Sequence, residues 1–336
     1  MSSLGTRYMG IPLANPVIAG ASDLTANVDS IRRIEEAGAG AVVLKSLFEE
    51  QIQAESFLLE EDLQAGESIS PEMSHLYPKV QHGGPKEHLM WVKKSKAAVK
   101  IPVIASLNAV NKATWVEYAR ALADQGVDGL ELNFFATPRD FDTDGARVEA
   151  EQVEAISEVR KAVRIPLAVK LSVFYSNPLH FLRRLDEAGI NAFVLFNRFF
   201  QPDVDPESES IVMPMNYSTA ADSRLPLRFA GLVYGKVKAD VCASTGVATA
   251  ADAAKMILAG AAAVQVVTAL YRTGLKAITQ IRDGLSAWMD KKSYASIDAF
   301  RGKLSAKNAK DPWAYTRAQY AKMLLGRKDW AEARKG

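Results

Sequence analysis

A lysine stands within the apolar run Leu167-Ala168-Val169-Lys170-Leu171. Burying an ammonium group costs free energy unless the group meets an anion or takes part in chemistry. Three interpretations of Lys170 are open. The side chain extends from a strand end to solvent, it places a positive charge against the N1–C2=O edge of a reduced flavin, or it forms a Schiff base as in an aldolase. Lys45, which follows Val43-Leu44, has the same ambiguity.

Two segments between Asp240 and Leu270 end in small residues that expose their backbone. Ser244-Thr245-Gly246 follows the apolar residues 241–243, and Thr268-Ala269 follows residues 263–267. Small residues let backbone N–H groups and a helix N-terminus approach an anion. In a parallel α/β barrel, the adjacent loops after the last two strands form a phosphate site. This pattern predicts a phosphorylated cofactor or substrate.

Other polar side chains also stand where predicted strands end, and in a barrel they converge on one cavity. With the two caps, the set is Ser22, Lys45, Ser46, Ser106, Asn108, Asn133, Lys170 and Asn197. Its three asparagines and two lysines suit a planar heterocycle with carbonyl and amide edges that carries a phosphate. The histidines have no close metal spacing, so no metal is expected. Cys242 lies within an apolar run, which indicates a buried and inert thiol.

Short β-branched runs alternate with helical patterns along most of the chain, which is typical of a parallel α/β fold. A doubly wound sheet would also alternate in this way, but no glycine-rich fingerprint follows the first strand. We therefore predict a TIM (β/α)8 barrel over residues 1–310. The eight predicted strands are residues 16–19, 41–45, 102–106, 129–133, 167–171, 192–197, 241–244 and 263–268. The clearest helical patterns are residues 28–37, 113–125, 149–163, 179–188 and 250–259.

Two connections, residues 47–85 and 198–228, are too long for simple barrel loops. Both follow strand ends, so we expect extended loops on the C-terminal face, where barrel active sites lie. Residues 211–215 are strand-like and interrupted by a proline, which indicates an edge hairpin. Residues 311–336 place aromatic and leucine side chains among basic ones. We predict that they form a helical extension packed on the barrel or on a partner subunit.

The composition excludes several classes of protein. Lys and Arg number 41 against 39 Asp and Glu, and this balance lacks the basic field of a nucleic-acid-binding protein. The single cysteine excludes a disulfide framework and a CxxC zinc site within the chain. The N-terminus has no signal-peptide pattern, and no apolar run is long enough to span a bilayer. We therefore expect a cytoplasmic protein that binds neither nucleic acid nor membrane.

The order of several motifs resembles the dihydroorotate dehydrogenase family, especially its soluble single-chain class, over residues 4–304. The motifs are Asn15-Pro16, Ala19-Gly20-Ala21-Ser22, Val43-Leu44-Lys45-Ser46, Glu131-Leu132-Asn133, Val169-Lys170-Leu171 and Asn197. The resemblance implies a barrel that holds FMN, with Lys170 stabilising negative charge on the reduced isoalloxazine. It places the FMN phosphate on the backbone of Gly246-Val247 and Val267-Thr268, with Ser244 and Thr245 as further cofactor-binding residues. It lines the ring and the ribityl chain with Ala21, Ser22, Lys45, Ser46, Asn108 and Asn133.

The catalytic loop departs from the family pattern. The family places a cysteine or serine base shortly after the asparagine that matches Asn133, whereas Ala136 aligns with that base here. Thr137, one residue later, is the candidate replacement, although an unassisted hydroxyl is a poor base. Asn133 and Asn197 are the expected substrate-binding amides. Arg198 stands where the family has a small hydroxyl side chain, so it either binds a substrate carboxylate or caps the loop of Asp203 and Asp205.

These observations favour an FMN-dependent oxidoreductase that acts on a CH–CH bond and transfers hydride between flavin N5 and a small carboxylated or amide substrate. Oxidation of dihydroorotate itself, a step of pyrimidine biosynthesis, stays open because the usual base is missing. Two alternatives are a flavin-free phosphosugar aldolase or synthase with a Schiff base on Lys170, and a non-catalytic FMN-binding protein. The resemblance implies a homodimer. The sequence has no visible second flavin or nicotinamide domain, so the expected electron acceptor is a small soluble molecule or a separate protein.

Overall fold

The computed structural model describes residues 2–50, 85–134, 141–198 and 201–311, together with Ile52 and Tyr315. The strands in these residues are short and mostly buried. In chain order they are β1 (Thr6–Tyr8), β2 (Ile11–Leu13), β3 (Val17–Ala19), β4 (Ala41–Val43), β5 (Leu47–Phe48), β6 (Val103–Asn108), β7 (Gly129–Asn133), β8 (Leu167–Leu171), β9 (Ala192–Leu195), β10 (Asp203–Asp205), β11 (Ser210–Val212), β12 (Asp240–Ser244) and β13 (Ala263–Val266).

Helices separate most of the strands and surround them. They are α1 (Val28–Glu36), α2 (Pro85–Ala98), α3 (Lys112–Ala123), α4 (Gly145–Ala162), α5 (Pro178–Glu187), α6 (Arg224–Val233), α7 (Ala250–Ala259), α8 (Thr268–Thr273) and α9 (Lys276–Lys291). Two 3-10 turns, Asp23–Thr25 and Ala220–Ser223, lie on the loops after β3 and after β11. None of these helices has the length and apolar character needed to cross a membrane.

Eight parallel strands form a closed barrel in the order β3-β4-β6-β7-β8-β9-β12-β13. The ring closes where β13 pairs with β3, with Val264 opposite Val17. All eight strands expected from the sequence are present, and the predicted TIM barrel is confirmed. The additional strand β5 pairs with the end of β6, with Leu47 opposite Leu107, and it was not predicted.

The five predicted helices form because apolar spacing and terminal caps agree. In α1, the Asn27 side chain accepts a hydrogen bond from the Ser30 amide, and Ile31 and Ile34 face the core. Helix α7 begins at a capping box between Thr249 and Asp252 and ends at Gly260. Helices α2, α6, α8 and α9 are not among the five predicted patterns.

A hairpin closes the amino-terminal end of the barrel. Strands β1 and β2 pair antiparallel, and Tyr8, Met9 and Leu13 are buried against the lower ends of the barrel strands. Asp240, the first residue of β12, holds this floor in place. One carboxylate oxygen accepts from the Met9 amide at 3.1 Å, and the other accepts from Arg301 Nη2 at 2.8 Å. Asp240 therefore joins the hairpin, the barrel and the segment after α9.

Replacing Asp240 by alanine is expected to lower the free energy of unfolding by about 2–3 kcal/mol, because the Arg301 guanidinium and the Met9 amide lose their acceptor. Urea denaturation measures the change. Asp29→Ala is the matched control, since the Asp29 side chain is 89% exposed and pairs with Arg32 on the same helix. Equal losses in the two variants would contradict this role for Asp240.

The long connections are described in part. The predicted edge hairpin is present as β10 and β11, which pair antiparallel on the C-terminal side. Most of the connection 47–85 lies outside the described residues. The predicted C-terminal extension, 311–336, also lies outside them except for Asp311 and Tyr315. The Tyr315 ring occupies the space that a side chain at Gly231 would need, and its hydroxyl donates to the Leu304 carbonyl.

Candidate functional site

A cavity of about 290 Å³ opens at the carboxyl ends of the barrel strands. This is the place that a parallel barrel offers, because each strand-to-helix loop begins on that face. Most of the predicted site residues line it, namely Ala21, Ser22, Lys45, Ser46, Lys170, Asn197, Arg198, Ser244, Thr245, Gly246, Val247, Val267 and Thr268. The cavity also contains residues that the sequence analysis missed, namely Asp23, Phe48, Met215, Asn216, Tyr217, Ser218, Gln265 and Tyr271.

The three predicted asparagines are linked by hydrogen bonds. Asn197 Nδ2 donates to Asn133 Oδ1 at 2.8 Å, and Asn108 Nδ2 donates to the Asn133 carbonyl at 3.0 Å. Of the three, Asn197 lines the cavity, and the other two reach it through these bonds. The network fixes the orientation of the Asn197 amide.

Lys170 belongs to a buried polar cluster that spans the barrel interior. Its Nζ lies 3.3 Å from Glu131 Oε1 and 3.3 Å from Gln265 Oε1. Gln265 Nε2 in turn donates to Glu131 Oε2. The side chains of Lys170 and Glu131 are only 7% and 1% exposed. We call Lys170, Glu131 and Gln265 the lysine cluster.

The lysine cluster answers one question that the sequence left open. The Lys170 side chain does not extend to solvent, so that interpretation is wrong; the carboxylate in the barrel compensates its charge. Glu131 and Gln265 had no predicted role. The signal was present, because each is a polar residue within an apolar strand, which is the same pattern that drew attention to Lys170.

The Lys170–Glu131 pair is expected to couple strongly. Lys170→Met or Glu131→Leu alone should lower the free energy of unfolding by about 3 kcal/mol or more, because each leaves a buried charge unpaired. The double variant should lose less than the sum of the two by more than about 1 kcal/mol. Chemical denaturation of the four proteins gives this difference. Lys112 and Glu154 form the control pair, since both side chains are more than half exposed and little coupling is expected. Additive losses of unfolding free energy at Lys170 and Glu131 would contradict the assignment of these two side chains as a coupled ion pair.

The second group in the cavity, which we call the anion cup, comprises Thr245, Gly246, Thr268 and Ser218. Thr245 and Gly246 have φ of 80° and 79°, and Thr245 Oγ1 donates to the Phe196 carbonyl at 2.9 Å. The Gly246 amide donates to Ser218 Oγ at 3.3 Å, and Ser218 Oγ donates to Thr268 Oγ1 at 2.9 Å. These backbone amide and hydroxyl groups lie together at the start of α8, where the sequence predicts a phosphate.

Only glycine fits at position 246. A Cβ there would lie 2.5 Å from the Ser223 amide nitrogen and 2.8 Å from the Thr219 carbonyl, and the left-handed φ disfavours any side chain. These contacts belong to the 3-10 turn Ala220–Ser223 and the residue before it. The long connection 198–228 therefore packs directly on the cup.

An ion pair stands at the mouth of the cavity. Lys45 Nζ lies 2.6 Å from Asp23 Oδ1, and both residues line the wall. Tyr271 is next to them. Burial raises the pKa of Tyr271, and the negative charge of Asp23 adds to this. Deeper in the wall, the hydroxyls of Ser46 and Ser106 are 2.7 Å apart.

Arg198 lines the cavity, but its donors are directed to the long connection. Nε and Nη2 donate to the carbonyl and the side-chain oxygen of Asn216, each at 2.6 Å, and Nη1 lies 3.2 Å from Asp222 Oδ2. The prediction that Arg198 caps the loop of Asp203 and Asp205 is therefore wrong. Burial opposes ionisation of Asp222, but hydrogen bonds from Thr219 and the charge of Arg198 together lower its pKa. A contact between Arg198 and substrate stays a prediction.

Two remaining expectations concern reactive side chains. Cys242 is fully buried in β12, and desolvation, followed by the charge of Glu131, raises the pKa of its thiol well above the ordinary value. This agrees with an inert cysteine. Thr137, the candidate base, and Ala136 lie outside the described residues.

A closed ring of eight parallel strands surrounded by helices, with a cavity at the carboxyl ends of the strands, places the chain in the class of TIM-barrel proteins. The family model of dihydroorotate dehydrogenase matches residues 85–289, more than half of the chain. The chain therefore belongs to the dihydroorotate dehydrogenase family and is a dihydroorotate dehydrogenase-like oxidoreductase.

Curated relatives are similar over nearly their whole length. One from Thermoplasma volcanium, named dihydroorotate dehydrogenase B (NAD(+)), catalytic subunit, is 26% identical over 311 residues, which are 90% of this chain and 98% of the relative. One from Methanosarcina acetivorans with the same name is 28% identical over 300 residues, 87% of this chain and 93% of the relative. The range that the family model matches, residues 85–289, includes both the lysine cluster and the anion cup.

Proposed function

We propose that the protein is an FMN-dependent oxidoreductase that transfers hydride between flavin N5 and a small carboxylated or amide substrate. The observation that carries the proposal is that a buried lysine and an anion cup line the same cavity. A flavin mononucleotide presents a phosphate at one end and, when reduced, a negative charge on its ring at the other. The two groups of the cavity match these two ends.

The residues of the cavity support FMN in particular. When bound, FMN supplies an N5 atom that accepts or donates a hydride. Thr245, Gly246 and Thr268 hold the phosphate in this proposal, with Ser244, Val247 and Val267 beside them. Lys170 sets a positive charge against the pyrimidine edge of the ring. Ala21, Ser22, Lys45 and Ser46 would contact the ring and the ribityl chain, and Asn108 and Asn133 would act from behind the wall through Asn197.

Fewer residues of the cavity are assigned to the substrate than to the cofactor. The Asn197 amide, oriented by Asn133, offers a donor and an acceptor to a substrate ring. Arg198 is a further substrate contact only if it leaves its partners on the long connection. Thr137 is the proposed group that moves the substrate proton. A lone hydroxyl is a poor base. Oxidation of dihydroorotate, and with it a role in pyrimidine biosynthesis, therefore requires that Thr137 take the substrate proton.

The geometry does not favour the aldolase alternative. A Schiff base requires a neutral amine that is free to attack a carbonyl, whereas Lys170 is held between Glu131 and Gln265. Sodium borohydride with a phosphosugar should therefore leave Lys170 unmodified. A purely FMN-binding role would show as bound flavin that no candidate substrate reduces faster than free flavin.

A partner receives or delivers the electrons in this proposal. The two relatives described above are named as catalytic subunits, which implies a second subunit for those proteins. We propose a small soluble acceptor or a separate protein here, and a homodimer as the assembly. The homodimer follows from likeness to the family.

The anion cup predicts a strong preference for FMN over riboflavin. We expect the apoprotein to bind FMN at least about a hundredfold more tightly, because charged hydrogen bonds to phosphate are lost with riboflavin. Gly246→Ala should weaken FMN at least about tenfold and leave riboflavin unchanged. Fluorescence titration of both flavins measures this. Gly274→Ala is the matched control, since Gly274 also has positive φ but an added Cβ would meet nothing within 4 Å. Equal affinity for the two flavins would remove the basis of the proposal.

The lysine cluster predicts the redox behaviour of the flavin. Lys170→Met should make the two-electron potential more negative by about 30 mV or more, because the reduced ring loses a nearby positive charge. Dye equilibration under anaerobic conditions gives the potential. Lys255→Met is the control, since Lys255 pairs with Asp252 on helix α7 and does not line the cavity. An unchanged potential in Lys170→Met would place Lys170 away from the ring.

A further inference from the structure

The positive charges on the described wall of the cavity are all compensated. Three cationic side chains line this wall, and each lies close to a carboxylate. Lys45 lies 2.6 Å from Asp23, Lys170 lies 3.3 Å from Glu131, and Arg198 lies 3.2 Å from Asp222. A substrate anion that approaches any of these three cations would therefore also approach the carboxylate that pairs with that cation.

The Asp23–Lys45 pair is the most exposed of the three pairs. The two side chains are 73% and 31% exposed, so a ligand can reach both. The other two pairs differ, because Glu131 is buried below Lys170 and Asp222 lies in the long connection. Asp23 is thus the carboxylate that a substrate on this wall encounters directly.

The backbone holds Asp23 in this position. Asp23 opens the 3-10 turn Asp23–Thr25, and the fully buried Thr25 locks that turn. Thr25 Oγ1 donates to the Ser22 carbonyl at 2.9 Å and accepts from the Ser22 amide at 3.1 Å. The Lys45 amide donates to the Thr25 carbonyl at 3.3 Å, so the turn is tied to the residue with which Asp23 pairs. The carboxylate is built into the wall.

We propose that Asp23 is a specificity-determining residue that disfavours substrates bearing a carboxylate, and that the site takes an uncharged cyclic amide. A ligand carboxylate drawn to Lys45 is repelled by Asp23 within a few ångströms. An uncharged ring has no such conflict, because its carbonyl and N–H edges can pair with the Asn197 amide and the Tyr271 hydroxyl. This inference rests on the proposed function, since it concerns the substrate of the flavin.

Two probes that differ only in the carboxylate test the proposal on the FMN-loaded full-length protein. Orotate carries the group and uracil lacks it, and each is titrated by its perturbation of the flavin absorbance. In the unmodified protein we expect uracil to bind at least as tightly as orotate. Asp23→Asn should increase orotate affinity at least fivefold and leave uracil affinity unchanged, and the gain should shrink at high salt, as a charge effect requires. Asp29→Asn, on the exposed face of α1, should change neither affinity.

Several results would overturn the inference. These are tighter binding of orotate than of uracil by the unmodified protein, an equal gain for both probes in Asp23→Asn, a gain that does not depend on salt, and no binding of either probe to any variant. Failure of the proposed function is seen separately, because a protein that binds no FMN fails before either probe is added. A protein that binds FMN and gives one of the four results above refutes only the role of Asp23.

Discussion

Closure of the barrel between β13 and β3 is the constraint on which the rest of the structure depends. Once Val264 lies opposite Val17, the carboxyl ends of all eight strands must meet around one opening. Gln265 then faces Glu131 across the interior, although 134 positions separate them in the chain. The lysine cluster exists only in a closed ring, because β13 supplies one member and the neighbours β7 and β8 supply the others. The pairing of β12 with β13 brings Thr268 beside the chain that follows β12.

The sequence predicted what depends on local patterns. Each strand of the barrel is a short apolar run, and a polar residue near its carboxyl end lies at or near the cavity. Positions such as Lys170 and Ser244 could therefore be predicted without knowing which strands pair. Partners could not be found in this way. Lys45 meets Asp23 and Arg198 meets Asp222 because of loop geometry, and several carboxylates stand at similar distances along the chain. The floor hairpin was missed for a related reason, since three-residue strands carry too little periodicity to be recognised.

The sequence pattern around Lys170 did not reveal its partner Glu131. A lysine in an apolar strand requires an anion, and that anion was expected to be part of a ligand. A carboxylate in the adjacent strand, with the same pattern, supplies it from within the protein. A buried cation that is already paired acts as a fixed dipole whose positive end faces the cavity. This suits a group that stabilises charge on a cofactor better than one that must lose its proton and form a bond.

The parts of the site differ in how firmly the backbone fixes them, and this difference separates cofactor binding from substrate selection. The lysine cluster is built from the barrel strands β7, β8 and β13, and Gly246 of the anion cup is fixed by backbone geometry that leaves no space for a side chain. Asp23 and Arg198 belong to turns and long connections, where a change of residue alters the charge without disturbing the barrel. The residues proposed to hold the cofactor can therefore stay constant while Asp23 and Arg198 change to suit a different substrate. Lys45 and Arg198 pair with carboxylates that lie on 3-10 turns. These two pairs are the place where this chain would differ in substrate from other members of its family.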